Sequence, residues 1–156
     1  MSPHIELVRP ERGPALCGPV LRSVPDWFGI ESATRAYIEA TGTLPTWVAL
    51  DGPEAMIARG FLTIHKRFPH AAEIHCVAVH RDSHGKGIGT ALVRFVEDAL
   101  REGGVRFLQV KTMGPSRPNA QYAMTTRFYL SVGFEPVEEF IGLWNGLPAL
   151  QLIKTL

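Results

Sequence analysis

The sequence predicts a single mixed α/β domain, and three observations predict it. Short β-branched runs, broken by Gly and Pro, stand both before and after one strongly amphipathic helical stretch. The junction into that stretch is rich in glycine, Ser83-His84-Gly85-Lys86-Gly87-Ile88-Gly89, and reads as strand, turn, helix. A chain of 156 residues fits one domain, 1–156, and leaves no room for a second of normal size.

The elements follow in order. Residues 5–10 alternate and stop at Pro10, which predicts a first strand. A stretch punctuated by Gly and Pro holds a short helix over 15–24. Residues 32–40 place Tyr37 and Ile38 at helical spacing and end before Gly42. Two strands, 46–50 and 56–66, are joined at Asp51-Gly52-Pro53, a turn sequence. Residues 72–80 form another strand. The helix that follows the glycine turn carries Ile88, Ala91, Leu92, Phe95, Val96, Ala99 and Leu100 at one-face spacing, and Gly103-Gly104 ends it. A strand over 107–112, a loop over 114–118, a helix over 122–132 and strands over 134–141 and 150–154 complete the chain. That makes about seven strands and four helices.

Composition narrows the function. With 16 basic and 15 acidic side chains the net charge is +1, which argues against a sequence-independent grip on nucleic acid or an anionic membrane. A hydrophobic fraction of 46% and a charged fraction of 20% exclude disorder, collagen and coiled coil. A chain this long buries roughly 70% of its unfolded surface and needs no metal or disulfide staple. Cys17 and Cys76 make no disulfide framework, the N-terminus has no signal-peptide pattern, and no apolar run approaches the ~20 residues of a membrane span. A reduced, cytoplasmic protein is expected. His65, His70, His75, His80 and His84 have no ligand spacing, so no metal is expected.

Strand, glycine turn and helix together make an anion-binding arrangement, because the backbone can approach closely and the helix offers unpaired N–H groups. The triphosphate loop GxxxxGK[ST] is absent. The dinucleotide fingerprint fails twice. Its third glycine position falls on Thr90, and the next strand ends Val110-Lys111-Thr112 without a carboxylate. A compact GxGxG at 85, 87 and 89 remains.

The run from Val77 to Leu92 resembles the acyl-coenzyme A motif of the GNAT acetyltransferases, [R/Q]-x-x-G-x-[G/A], with His84 where Arg or Gln is usual. Phe128-Tyr129-Leu130-Ser131-Val132-Gly133-Phe134 resembles the family's Y-x-x-x-G-F ending, with Tyr122 standing where many members carry Asn. Ala72-Glu73-Ile74 matches, more loosely, the place of a catalytic glutamate in some members. The two stronger elements cover about residues 72–135.

The resemblance implies a GNAT fold: a twisted, mixed, mostly antiparallel sheet of about seven strands with helices on both faces, splayed between the strands at 72–80 and 106–112. It also implies acetyl transfer from acetyl-coenzyme A to a primary amine of a small molecule, by direct attack in a ternary complex. His84, Gly85, Lys86, Gly87, Gly89 and Thr90 would bind the pyrophosphate, mainly through backbone N–H groups, and backbone groups of Val77 and Val79 would hold the pantetheine arm. An amine with a pKa near ~10 must lose a proton before it attacks. Glu73 is the candidate base, directly or through water, and His75, two residues on and on the same strand face, is the runner-up. Tyr129 would stabilise the leaving thiolate. Because a phenol (~10) is a weaker acid than a thiol (~8.5), full proton transfer is uphill by about 2 kcal/mol, and a strong hydrogen bond is the expectation.

Other readings stay open. They are a coenzyme A-binding module without catalysis, a nucleotide-binding regulatory domain, and acetylation of a protein or peptide amine; a homodimer is left open too. Lys111 and Arg117 are candidates for the coenzyme phosphates. Trp27, Phe28, Tyr37 and Trp144 are candidates for an acceptor pocket, with Asp26, Glu31, Glu138 and Glu139 to attract a cationic amine.

Overall fold

Proline and glycine set most element ends, and the rest are set by alternation. The computed structural model describes residues 2–156, so Met1, the first residue of the expected 1–156 domain, lies outside the described residues. Seven strands, β1 (His4–Leu7), β2 (Thr46–Leu50), β3 (Ala58–Phe68), β4 (Ala71–Val79), β5 (Phe107–Met113), β6 (Glu135–Trp144) and β7 (Leu147–Thr155), are interspersed with four α-helices. These are α1 (Gly13–Arg22), α2 (Glu31–Ala40), α3 (Ile88–Glu102) and α4 (Ala120–Ser131). The sheet runs β1-β2-β3-β4-β5-β7-β6. Pairs β1–β2, β2–β3, β5–β7 and β6–β7 are antiparallel, and β4–β5 is parallel. The mixed, mostly antiparallel sheet expected from the sequence is therefore present. The β4–β5 ladder is short, from Ala71↔Phe107 to Ile74↔Val110.

The described residues divide into two compact units. One is the chain up to His65 with His75–Leu100, and the other is Lys66–Ile74 with Arg101–Leu156. In the first, Leu16, Cys17, Val20 and Leu21 of α1 pack on Val48, Leu50, Phe61, Cys76 and Ala78. The next residue back along β3, Gly60, faces α3 instead. A Cβ there would stand 3.0 Å from the Ala78 carbonyl oxygen and 3.1 and 3.2 Å from Ile88 and Leu92. Successive side chains of a strand point to opposite faces, so β3 is covered by α1 on one face and α3 on the other.

Two expectations shift here. β1 ends at Leu7 rather than at residue 10, because Pro10 opens a 3-10 turn, Pro10–Arg12. The buried face of α3 is Ile88, Leu92, Val93, Val96, Glu97 and Leu100, and Phe95 points outward, 45% exposed. The i, i+4, i+8 row through 88, 92 and 96 seats the helix, which turns position 95 away from it.

In the second unit β5 pairs with β7 from Phe107↔Thr155 to Met113↔Ala149. Leu108, Val110 and Leu152 are buried, as are Tyr129, Val132 and Phe134. β6 and β7 form a hairpin whose turn residues, Asn145 (φ 48°) and Gly146 (φ 88°), both have positive φ. That is the mark of a type I′ turn. Both strands run longer than expected because a two-residue turn lets pairing continue up to Trp144 and Leu147.

Cys17 and Cys76 are free and buried. Burial pushes the Cys17 thiol up to about 12, with its hydrogen bond to Thr41 acting the other way, and raises Cys76 through burial and the nearby Cys17. Thiolate is the reactive form. At pH 8 the folded chain is therefore expected to release no chromophore from an aromatic disulfide reagent over minutes, and both thiols to react at once in denaturant. Fast reaction of either thiol in the native chain would contradict the packing of α1 on β4.

Candidate functional site

β4 shows strict alternation. Ala72, Ile74, Cys76 and Ala78 are buried, and Glu73, His75, Val77 and Val79 are half-buried on the other side. Glu73 and His75 thus share a face, as the period of two requires. The strand ends at Val79, a 3-10 turn follows at Arg81–Ser83, and α3 begins at Ile88. Gly85 (φ 74°) and Gly87 (φ 78°) make the reversal in the left-handed region that favours glycine. A Cβ built on either meets nothing within 4 Å. Both glycines therefore face open space, which any side chain there would enter.

The carbonyl of Gly87 accepts the first helical bond, from Ala91 N at 3.0 Å. The N–H groups of Ile88, Gly89 and Thr90 precede that bond and have no acceptor within the helix. The first turn of α3 carries no acidic side chain. Positive φ, open space, free N–H groups and the positive end of a 15-residue helix converge on one point, an arrangement suited to a phosphate or pyrophosphate.

Polar ties hold the turn in place. Arg81 donates its backbone N–H to Ser23 Oγ (3.0 Å) and its Nε to the Ser23 carbonyl (2.8 Å), and its guanidinium lies 3.6 Å from Asp26. Arg59 donates to Ser83 Oγ (3.2 Å) and pairs with Asp51. Lys86 Nζ donates to the Asp82 carbonyl at 3.1 Å. His84, in the place where the resemblance puts Arg or Gln, turns back along the strand. Its Nε2 donates to the Val79 carbonyl at 2.8 Å, and its ring stands edge-on to Trp27. One lone pair of the Val79 carbonyl, expected to hold a pantetheine arm, is thus engaged within the chain. Val77, Val79, His84, Gly85, Lys86, Gly87, Gly89 and Thr90 come together along this one segment.

Among the candidate acceptor residues, Phe28 and Tyr37 are packed rings and Asp26 and Glu31 are partnered charges, while Glu138 and Trp144 are placed by the β6–β7 register. Tyr37 lies 5.2 Å from His75 and 5.7 Å from Phe28, ring centre to ring centre, and His75 lies 6.4 Å from His65. Asp26 pairs with Arg81, and Glu31 takes two bonds from Arg22, which hold its carboxyl below the usual range. Trp144 closes the β6–β7 hairpin opposite Leu147.

Glu73 and Tyr129 belong to the second unit. Glu73 stands opposite Gln109 in the β4–β5 ladder and forms an ion pair with Lys111, two residues along β5. The pair is partly buried, with side chains 12% and 24% exposed. The parallel register, which the sequence does not announce, brings Lys111, a candidate for the coenzyme phosphates, against Glu73. Tyr129 is 4% exposed on α4 and packs edge-on against Phe134 at 5.6 Å. Asn119 caps that helix, accepting from Tyr122 N at 3.1 Å.

A family model described as the acetyltransferase (GNAT) family matches residues 21–134. No curated protein matches the sequence. Among solved structures, a GNAT-family protein from Desulfovibrio desulfuricans superposes with a TM-score of 0.82 at 18% identity, covering 97% of this chain and 98% of that one. A Salmonella typhimurium protein solved with its cofactor acetyl-CoA gives 0.68 at 18% identity, covering 100% and 95%. An aminoglycoside 6′-N-acetyltransferase complexed with coenzyme A gives 0.70 at 15% identity, covering 97% and 96%. At these identities the likeness is one of fold.

The Glu73–Lys111 pair can be tested on its own. Glu73→Gln and Lys111→Met are each expected to lower stability in urea by about 1–3 kcal/mol, because each leaves a partly buried charge or donor without its partner. The double variant should cost less than the sum of the two. Additive losses would mean that the two side chains do not interact.

Proposed function

The chain belongs to the acetyltransferase (GNAT) family, and from that membership we propose that it moves an acetyl group from acetyl-coenzyme A to the primary amine of a small molecule, by direct attack in a ternary complex. The observation that carries the reading is the turn between β4 and α3. Its two left-handed glycines open onto free space beside the unpaired N–H groups of α3, which is the cradle a pyrophosphate needs. The residues present fit the ligand. Acetyltransferases of the same fold, solved with acetyl-CoA or coenzyme A, support it. The two unbridged cysteines fit a cytoplasmic setting.

Acetyl-coenzyme A supplies an activated thioester; a C–N bond forms to the amine as the C–S bond breaks. The chain's own residues do the rest. Gly85, Lys86, Gly87, Gly89 and Thr90 bind the pyrophosphate mainly through backbone N–H groups. His84 acts at one remove, holding the turn to the end of β4 through the Val79 carbonyl. Backbone groups of Val77 and Val79 hold the pantetheine arm. Tyr129 donates a hydrogen bond to the departing sulfur, a role that rests on the Y-x-x-x-G-F resemblance. Glu73 takes the amine's proton, directly or through water.

The ion pair of Glu73 favours a second reading of that last step. Accepting a proton would cost Glu73 its charge-assisted bond to Lys111. His75, the next residue outward on the same face of β4, is then the proton acceptor. Rate against pH separates the two: the variant of the true base, Glu73→Gln or His75→Asn, loses the acidic limb of the kcat/KM profile, and the other keeps it.

The reading as a whole is tested by thermal unfolding with acetyl-coenzyme A, ATP and NADH added separately. A ligand at 100 times its Kd stabilises by about 2.7 kcal/mol, a shift easily seen. Acetyl-coenzyme A alone should produce it, and amines should then release free thiol. Tyr129→Phe should lower kcat well below wild type with cofactor affinity little changed. Gly87→Val should abolish the shift, though its φ of 78° means that this variant is also less stable in itself. A shift with ATP or NADH but not acetyl-coenzyme A would overturn the assignment.

A further inference from the structure

We propose that Tyr37 is a positioning residue for His75: its ring seats the imidazole and favours the protonated form, while His65 beside it keeps the pair from taking two protons. These three rings and that of Phe28 lie within the first unit, and all four are half-buried. The ring centres of Tyr37 and His75 are 5.2 Å apart with their planes inclined at 58°, and those of His65 and His75 are 6.4 Å apart at 78°. Phe28 stands edge-on to Tyr37, 5.7 Å away at 84°.

Packing of α2 on α1, and of α1 on β4, builds this array. A Cβ at Gly13 would stand 2.2 Å from the Thr41 carbonyl oxygen, so glycine there admits the end of α2 against the start of α1. Further along α1, Gly18 faces Ile38, the residue after Tyr37. The Thr34 hydroxyl of α2 donates to the Phe28 carbonyl at 3.0 Å and ties the preceding segment to the same helix. α1 in turn packs on Cys76, the residue after His75. Helix and strand, not a loop, therefore bring the Tyr37 ring to the imidazole.

Electrostatics then acts on His75 in two directions. An aromatic ring attracts a cation within ~6 Å of its centre, and the Tyr37 ring lies inside that reach of the imidazole. Two protonated imidazoles repel each other, so a proton on His65 opposes one on His75 and the two titrate as a coupled pair. On the same face of β4, Glu73 is engaged with Lys111 in an ion pair. Lys66, next after His65 on β3, is exposed and screened by solvent. A proton acceptor must take the proton that the amine loses as its C–N bond forms, and must release it to water before the next turnover. Tyr37 favours the first step and His65 the second.

The array rests on ring geometry; its use in acetyl transfer rests on the reading of His75 as the proton acceptor. NMR of the full chain against pH tests the array without substrate, with the imidazole C–H resonance of His75 assigned by its loss in His75→Asn. Tyr37→Leu should lower the His75 midpoint by about 0.5 pH unit, because it removes an attraction for the charged form. Tyr37→Phe keeps the ring and should keep the wild-type midpoint. His65→Asn should raise the midpoint by about the same 0.5 unit and leave a single step. An unmoved midpoint in Tyr37→Leu would overturn the proposal, as would an equal fall in Tyr37→Phe, which would assign the effect to the hydroxyl. If Tyr37→Leu does not fold, His65→Asn decides: no rise in its midpoint rejects the coupling.

Kinetics separate the array from its use. In Tyr37→Leu the acidic limb of kcat/KM should move to lower pH together with the NMR midpoint. A limb that stays while the midpoint moves would remove Tyr37 from catalysis. Failure of wild type to acetylate any amine, with the NMR shifts intact, would bring down acetyl transfer and leave the coupled rings standing.

Discussion

A side chain at position 60 would crowd its neighbours, and the geometry of the first unit follows from that close approach. The space where a Cβ would stand is bounded by the Ala78 carbonyl and by the side chains of Ile88 and Leu92, all within 3.2 Å. The first turn of α3 is therefore seated directly on β3 and beside the end of β4. Between Val79 and Ile88 the chain has eight residues in which to leave the strand, reverse and enter the helix. A reversal that short is made through left-handed backbone at Gly85 and Gly87, and left-handed backbone without side chains leaves the helix N-terminus uncovered. The anion cradle is what remains when a helix is packed this closely to the strand before it.

The polar ties around the turn are mostly half-exposed, and each surface ion pair contributes at most about 1 kcal/mol to stability. Their effect is better understood as positional. Arg81 reaches Ser23 and Asp26 just past the end of α1, Arg59 spans from Asp51 to Ser83, and His84 bonds back to Val79. The turn is thus fastened to three different elements. Donors already held in position need little reordering when an anion arrives, which is how pre-organisation favours binding.

Legibility in the sequence followed the range of the interactions. The glycine turn and the helix after it could be read locally, because positive φ demands glycine and a buried face demands spacing. Seven strands and four helices were recoverable for the same reason. What could not be read depends on neighbours distant in the chain. The face of α3 is set by packing on Gly60, and the spacing alone, which fits either rotation, puts Phe95 on the inner face. Lys111 meets Glu73 only through a parallel register spanning 38 positions. His84 matched the expected motif position, but its bond to Val79 depends on how the turn folds back. The β6–β7 hairpin is the exception, since its turn is local and Asn145-Gly146 announces it in the sequence.

That same dipeptide has a consequence in time rather than in space. In Asn-Gly the following backbone nitrogen, unshielded by any Cβ, can attack the asparagine amide and expel ammonia, leaving a chain lengthened by one carbon where it reopens as isoaspartate. In most loops an added carbon is absorbed. Here Asn145 and Gly146 are the turn itself, so the added carbon falls where the two strands are joined. The hairpin therefore ages at its turn, and old preparations of the protein would show that damage first as lost pairing between Trp144 and Leu147.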